Sequence, residues 1–192
     1  MSERERGTVP HKAVVRDAAE ADIAAVARIY ARHVETGIAS FEEIAPSVEE
    51  MQARRRKALD CGAPYLVAEF EGAIVGYCYA GLYHARPAYR YTLEDSVYVA
   101  QGMGGHGVGA ALLGELITRC EQGPWRQMVA VIGDSGNAAS IALHRRFGFE
   151  WVGALRSVGF KFGRWVDVPI MQRALGPGDE PPLPGASAAP AR

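Results

Sequence analysis

Cysteine is scarce in this sequence. Cys61, Cys78 and Cys120 are odd in number, widely spaced and outside any CxxC pattern. That argues against a disulfide framework or a cysteine zinc site and suits a reducing compartment. Long apolar runs are missing too: nothing approaches the roughly 18 consecutive apolar residues of a membrane span. The opening MSERERGTVPHK is charged and lacks the apolar stretch of a secretory signal. Charge bias is also absent, with 21 Lys and Arg against 22 Asp and Glu and a net charge of -1. Without a basic surplus, nucleic acid is a poor candidate partner. The basic run Arg54-Arg55-Arg56-Lys57 follows Glu49 and Glu50 at helical spacing, and reads as a solvated helix face. The expectation is a cytoplasmic protein with no metal, no membrane and no nucleic acid.

What is present is a globular composition, 48% hydrophobic and 22% charged over 192 residues, enough for one domain with a real core. Residues 1–11 read as a flexible leader. Residues 176–192, GPGDEPPLPGASAAPAR, hold too little large apolar surface to offset ordering entropy and read as a disordered tail. The domain is expected over residues 12–175.

Within it the hydrophobic period alternates. A short strand is expected from Ala13 to Arg16. A helix follows, with Ile23, Val26, Ala27, Tyr30 and Val34 as its stripe. A second helix opens at Ser47, which Glu50 would complete as a capping box. Strands are expected at 65–70 and 73–82 around the Glu71-Gly72 turn, and at 92–100 after the loop YHARPAYRY. Then come a helix carrying Leu112, Leu113, Leu116 and Ile117, a strand from Met128 to Ile132, and a helix over about 138–147. Closing strands are expected near 149–155 and 163–173. Hairpins first and strand–helix units in the middle give a mixed α/β chain, an α+β mixed sheet flanked by helices.

The segment QGMGGHGVG lies between a strand and a helix, which is an anion-binding arrangement. No Lys-Ser/Thr follows it, so a Walker loop is excluded. Gly102-Met103-Gly104-Gly105-His106-Gly107 matches the dinucleotide pattern G-x-G-x-x-G literally, with Asp134 ending the next strand. Asp134 lies late for a ribose contact, however, and too little chain remains for a doubly wound sheet. Glycines that merely make a turn are the bland alternative.

GHGVGAALL also resembles the phosphate-binding turn of the GCN5-related N-acetyltransferase (GNAT) superfamily. Thirty residues beyond Gly107 comes N-x-x-S-x-x-L-x-x-x-x-G-F (Asn137, Ser140, Leu143, Gly148, Phe149), which resembles the superfamily's second signature. One departure is Gly104, where relatives usually carry Gln or Arg. HARPAYRYTLEDSVYV and VGFKFGRWVDV are similar to segments of its phosphinothricin and methionine sulfoximine N-acetyltransferase branch. The resemblance covers residues 13 to 175.

It implies the GNAT acyl-CoA N-acyltransferase fold, acetyl-CoA as co-substrate, and a small amino-acid-like amine as acceptor, with detoxification or resistance as the outcome. It also implies a homodimer with the GFKFGRW hairpin near the interface, where Trp165 and Phe160 suit an apolar contact or belong to the core. For the cofactor it implies Gly105, His106, Gly107, Val108, Gly109 and Ala110 at the pyrophosphate. Val97, Tyr98 and Val99 would lie along the pantetheine and supply oxyanion donors, with Asn137 and Ser140 beside them.

Glu94 matches the family's base, on the strand face opposite Leu93 and Asp95. His144 shares a helix face with Asn137, Ser140 and Ile141 and stands where many relatives have a tyrosine acid. Whether it acts as acid, base or substrate orienter is open at this point. Arg86 and Tyr89 would meet an acidic group of the substrate, while His84 replaces a lysine of relatives. Phe41 either lines the substrate pocket or belongs to the core. Other acetyltransferase branches, acting on protein N-termini or aminoglycosides, and a silent CoA-binding sensor remain as alternatives.

Overall fold

Alternating apolar residues make strands, and in this chain most strands pair with their sequence neighbours. The computed structural model describes residues 12–181. The expected leader, 1–11, and residues 182–192 of the expected tail lie outside the described residues. The elements are β1 (Val14–Asp17), α1 (Ile23–Thr36), α2 (Val48–Asp60), β2 (Tyr65–Phe70), β3 (Ala73–Leu82), β4 (Thr92–Val99), α3 (Val108–Glu121), β5 (Gln127–Val131), α4 (Ala138–Arg146), β6 (Glu150–Lys161) and β7 (Arg164–Ala174). No helix among the described residues is long and apolar enough to cross a membrane.

The strands form a single sheet in the order β1-β2-β3-β4-β5-β7-β6. Only β4 and β5 run parallel, and α3 is the crossover between them; every other neighbouring pair is antiparallel. The turn between β2 and β3 takes positive φ at Glu71 (50°) and Gly72 (78°), the geometry a two-residue hairpin favours. A sheet with one parallel pair has no dinucleotide switch point. Asp134 is spent on an ion pair with Arg164 and on the Gly136 amide, so the dinucleotide reading of the glycine turn fails.

Helices cover both faces. The expected stripe of α1 is buried throughout and packs with Met51, Tyr65, Val67 and Tyr77. Burial of a side chain such as Ile23 or Val26 contributes about 1.5–3 kcal/mol. On the opposite face α3 sets Leu112, Leu113 and Leu116 against Cys78, Leu93 and Met128. Double coverage explains why β2 buries four residues in succession, Tyr65 to Ala68, and does not alternate.

Three local expectations need correction. The basic run of α2 is not simply solvated: Arg54 binds Glu42 at 2.6 Å, and Arg55 donates to the Ala18 carbonyl at 2.6 Å. Ser47 does cap α2 by accepting from the Glu50 amide, but the Glu50 carboxylate turns to Arg54 and not back to close the box. Finally, β6 runs well past residue 155. An irregularity between Leu155 and Gly159 bends it, with Ser157 at φ 52° donating its amide to Asp167. The first residues after β7 are ordered in a turn, with the Gly178 amide on the Leu175 carbonyl.

Candidate active site

The parallel pair at the sheet's centre comes apart. β4 and β5 are in register only over residues 92–95 and 127–130. Beyond that point β5 follows β7, with Val131 opposite Ile170. Meanwhile β4 stays with β3, where Val97, Tyr98 and Val99 face Cys78, Tyr77 and Gly76. The gap is a cleft of about 490 Å³, walled by residues 96–99 of β4, by Val131, Ile132 and Gly133, by the glycine turn, and by α4.

Strand alternation decides which amides face this gap. The Ala100 amide donates to Val75 and the Tyr83 amide to Thr92, so the even-numbered residues of β4 bond to β3. Val97 and Val99 therefore turn their N–H groups toward the gap. Tyr98 lines the cleft as well, but its amide is committed to β3. That corrects the expectation of three equivalent donors. The Val99 carbonyl is bound by His33 Nε2 at 2.9 Å.

At the cleft's other end the glycine turn takes left-handed φ at Gly102, Gly105 and Gly107 (83°, 78° and 79°), which L side chains avoid. Gly107 precedes α3 without any capping side chain. A Cβ at Gly104, Gly105 or Gly107 would meet no atom within 4 Å. The amides of Val108, Gly109 and Ala110 are thus unobstructed at the positive end of a 14-residue helix. At Gly109 a Cβ would stand at ordinary contact distance, 3.4 Å from Leu143. The His106 side chain is exposed, lies outside the lining, and donates Nδ1–H to the Gly104 carbonyl at 2.9 Å. It shapes the turn.

Helix α4 supplies Asn137, Ser140 and His144 to the cleft. The Asn137 side chain accepts from the Ser140 amide at 3.1 Å and caps the helix. His144 is buried, with Nε2 3.0 Å from Asp95 Oδ2, Nδ1 2.7 Å from the Ser140 carbonyl, and its ring edge-on to Phe149. Burial alone would push the imidazole's pKa down. The hydrogen bond and charge of Asp95, helped by the Ser140 carbonyl, outweigh it, and the net shift is upward.

Glu94 lies on the other sheet face, near Tyr79. Burial, with Asp95 adjacent, pushes its carboxyl up to about 7. The side chain is partly accessible and sits beside, not within, the lining of the main gap.

The four expected substrate residues do not line the gap. His84 and Tyr89 form a ring cluster with Tyr83 on the loop before β4, at the end of that strand away from residues 96–99. Arg86, which is exposed, precedes the single helical turn Pro87–Tyr89 of that loop. Phe41 is 41% exposed, not core, and lies flat on Gly159, where a Cβ would come within 2.6 Å of the ring. Nearby, buried Lys161 donates to the Val34 and Ser40 carbonyls, each at 2.7 Å. Sequence reading passed over Asp95, His33 and Lys161. Asp95 left a signal: an ionisable residue in the inward-facing series Leu93, Asp95, Val97. His33 and Lys161 left none.

The sequence matches the model of the acetyltransferase (GNAT) domain over residues 15–170. The chain belongs to the GNAT acetyltransferase family. It is an acetyltransferase 58% identical over 166 residues to a phosphinothricin N-acetyltransferase of Alcaligenes faecalis, covering 86% of this chain and 83% of the relative. It is 41% identical to an L-methionine sulfoximine/L-methionine sulfone acetyltransferase of Pseudomonas paraeruginosa, covering 86% and 96%. Among solved structures, a phosphinothricin acetyltransferase of Sinorhizobium meliloti in complex with acetyl-CoA superimposes with a TM-score of 0.88 at 45% identity, covering 91% of this acetyltransferase and 95% of that chain.

Proposed function

We propose that this acetyltransferase moves the acetyl group of acetyl-CoA to the amino group of a small acidic amino-acid analogue of the phosphinothricin, methionine sulfoximine or methionine sulfone type, and so detoxifies it in the cytoplasm. The observation that carries the reading is the continuity of the central gap with the uncapped start of α3. An extended thioester arm fits along Val97 and Val99, and its diphosphate fits the amides of residues 108–110. Bound there, acetyl-CoA supplies the activated acyl group, and the chain's own residues do the rest. Gly104, Gly105 and Gly107 admit the phosphates, and the Val97 and Val99 amides offer preorganised donors to a developing oxyanion.

Glu94 is the base in this reading. An α-amino group has a pKa of about 8, so the amine arrives protonated, and a carboxylate titrating near 7 is well matched to accept that proton. His144 manages the proton needed by the departing sulfur. In this reading Arg86 and Tyr89, with His84, meet the substrate's acidic groups, and Phe41 forms an apolar wall. Thiol release measured across amino-acid analogues, aminoglycosides and peptides tests the assignment. Acetylation of phosphinothricin and methionine sulfoximine is expected. If peptides or aminoglycosides react and neither analogue does, the substrate assignment is wrong.

The second part of the reading is a homodimer. β6 is an edge strand, yet Leu155, Val158, Phe160 and Phe162 are each more than half exposed, and Trp165 is 63% exposed and edge-on to Phe160. Long apolar edges are ordinarily covered or interrupted by charge. A second copy is the occupant that the resemblance to the family implies. Light scattering of Phe160→Glu and Trp165→Glu is expected to show monomers where the parent chain is a dimer.

A further inference from the structure

His144 makes hydrogen bonds from both ring nitrogens, and both partners are acceptors. The Ser140 carbonyl, 2.7 Å from Nδ1, has no proton to give, so Nδ1 carries one. A neutral imidazole would then set a bare Nε2 lone pair 3.0 Å from a carboxylate oxygen. The other tautomer is no better. The Ser140 hydroxyl, 3.3 Å from Nδ1, can donate to it, but the Nδ1 lone pair would still face the carbonyl. The geometry therefore calls for one more proton than a neutral ring and a carboxylate possess.

The surroundings reinforce this. The two side chains are only 5% and 2% exposed, and Asp95 Oδ1 has no hydrogen-bond partner. Among the described residues no cation other than His144 is bonded to Asp95: Arg119 on α3, whose charge reaches Cys78, is paired with Asp17 and Glu115, and Arg146 of α4 lines the cleft without a bond to Asp95. Cys78 on β3 and Cys120 on α3 are held as thiols, by burial first and by Asp95 second. Glu94 on the same strand resists ionisation for the same two reasons. An ionised Asp95 in such a place is tolerable only with a charged partner.

We propose that Asp95 is a positioning residue that holds His144 as an imidazolium, so that the ring enters the reaction as proton donor to the departing sulfur and not as base toward the amine. This rests on the reading that His144 takes part in proton handling. The balance closes as follows. The C–N bond forms as the C–S bond breaks, and the His144 proton ends on sulfur as S–H. Both protons lost by the ammonium nitrogen leave through Glu94 to solvent, and one proton taken back from solvent restores the Asp95–His144 pair. A neutral ring can keep only one of its two contacts, so the pair is loosened until it is reprotonated.

The test uses full-length protein labelled with ¹⁵N-histidine. In the wild type both His144 nitrogens are expected to show the protonated pattern at about pH 7–8 by long-range ¹H–¹⁵N NMR. Asp95→Asn keeps a hydrogen-bonding group in place, but its amide can donate to a bare Nε2, so the ring is expected to be neutral there. The ratio of kcat for Asp95→Asn to wild type should fall about tenfold between about pH 6 and about pH 8, with acetyl-CoA affinity unchanged. A neutral-ring pattern in the wild type at about pH 7, which needs no variant to fold, overturns the proposal. So does a kcat ratio that is flat with pH. If His144→Gln retains full kcat, the catalytic reading of His144 fails instead, and the NMR result stands apart from it.

Discussion

Glu94 and Asp95 are adjacent on β4 yet deliver their carboxylates to opposite faces of the sheet. Glu94 stands on the Tyr79 side, while Asp95 binds His144 on the side of α3 and α4. A strand turns successive side chains to opposite faces, so one short segment sets a carboxylate on each face of the sheet, Asp95 in the lining of the gap and Glu94 beside it. The two sites also communicate. The negative charge of Asp95 makes ionisation of Glu94 harder, and the Asp95–His144 pair dampens that effect while it holds its proton.

The position of Glu94 predicts a pH profile. A base must be ionised to act, and this one is ionised only above about 7. For the wild type, kcat/KM is therefore expected to rise with pH and level off above that value. In Glu94→Gln that rise should vanish and kcat fall by about 10²–10⁴-fold, with acetyl-CoA affinity intact. Stability should move the other way. A carboxyl held above its ordinary range favours folding most at low pH, and that contribution is lost as pH rises toward about 7. Glu94→Gln is thus expected to gain relative stability above neutrality, as read from denaturant midpoints.

The glycine turn gives a sharper structural test. Gly107 has φ 79° and open space where a Cβ would stand, so Gly107→Val places a branched side chain where a phosphate would approach. It also costs at least about 1–2 kcal/mol of backbone strain. Gly109 lacks positive φ, but its Cβ would sit 3.4 Å from Leu143 and 3.6 Å from Val99. Gly107→Val and Gly109→Val are both expected to lose acetyl-CoA binding by calorimetry on folded protein. Unchanged binding in both would remove the turn from the cofactor site.

Much of this was legible in the sequence because it is local. The stripe of α1, the Glu71-Gly72 hairpin and the glycine turn each follow from the period or the backbone freedom of neighbouring residues. What escaped is what folding brings together. Asp95 meets His144 across 49 positions, and Lys161 reaches the Ser40 carbonyl across 121; no periodicity encodes either. The length of β6 is not legible in the sequence because Ser157 and Gly159 look like the end of a strand. They form an irregularity inside one, tied by the Ser157 amide to Asp167. The Tyr98 amide differs from its neighbours for a subtler reason: side-chain order is visible in a sequence, but which amides a neighbouring strand consumes is not.

For substrate recognition, Arg86 is the testable residue. It is exposed on the loop before β4, free to present its planar fork to a carboxylate or phosphinate. Arg86→Ala is expected to raise KM for phosphinothricin or methionine sulfoximine by the equivalent of about 1.5–3 kcal/mol, while KM for acetyl-CoA stays constant. Equal KM values for the amine in variant and wild type would place the acidic group elsewhere.

The segment around Phe41 separates a local defect from a general one. Gly159→Ala would put a methyl within 2.6 Å of the Phe41 ring. That ring is 41% exposed and can swing away, so the fold should keep most of its stability. The apolar wall would still be displaced, raising KM for the amine and leaving acetyl-CoA affinity alone. Lys161→Met acts on the same segment from beneath. Lys161, 3% exposed, bridges the end of α1 at Val34 to the Ser40 carbonyl, one residue before Phe41. Met fills similar volume but donates nothing, leaving two buried carbonyls without that partner at about 1–3 kcal/mol each. A lower denaturant midpoint is expected together with a higher KM for the amine. If Lys161→Met changes the midpoint but not KM, the lysine supports the fold without shaping the pocket. If Gly159→Ala leaves KM unchanged as well, Phe41 is no part of the substrate site.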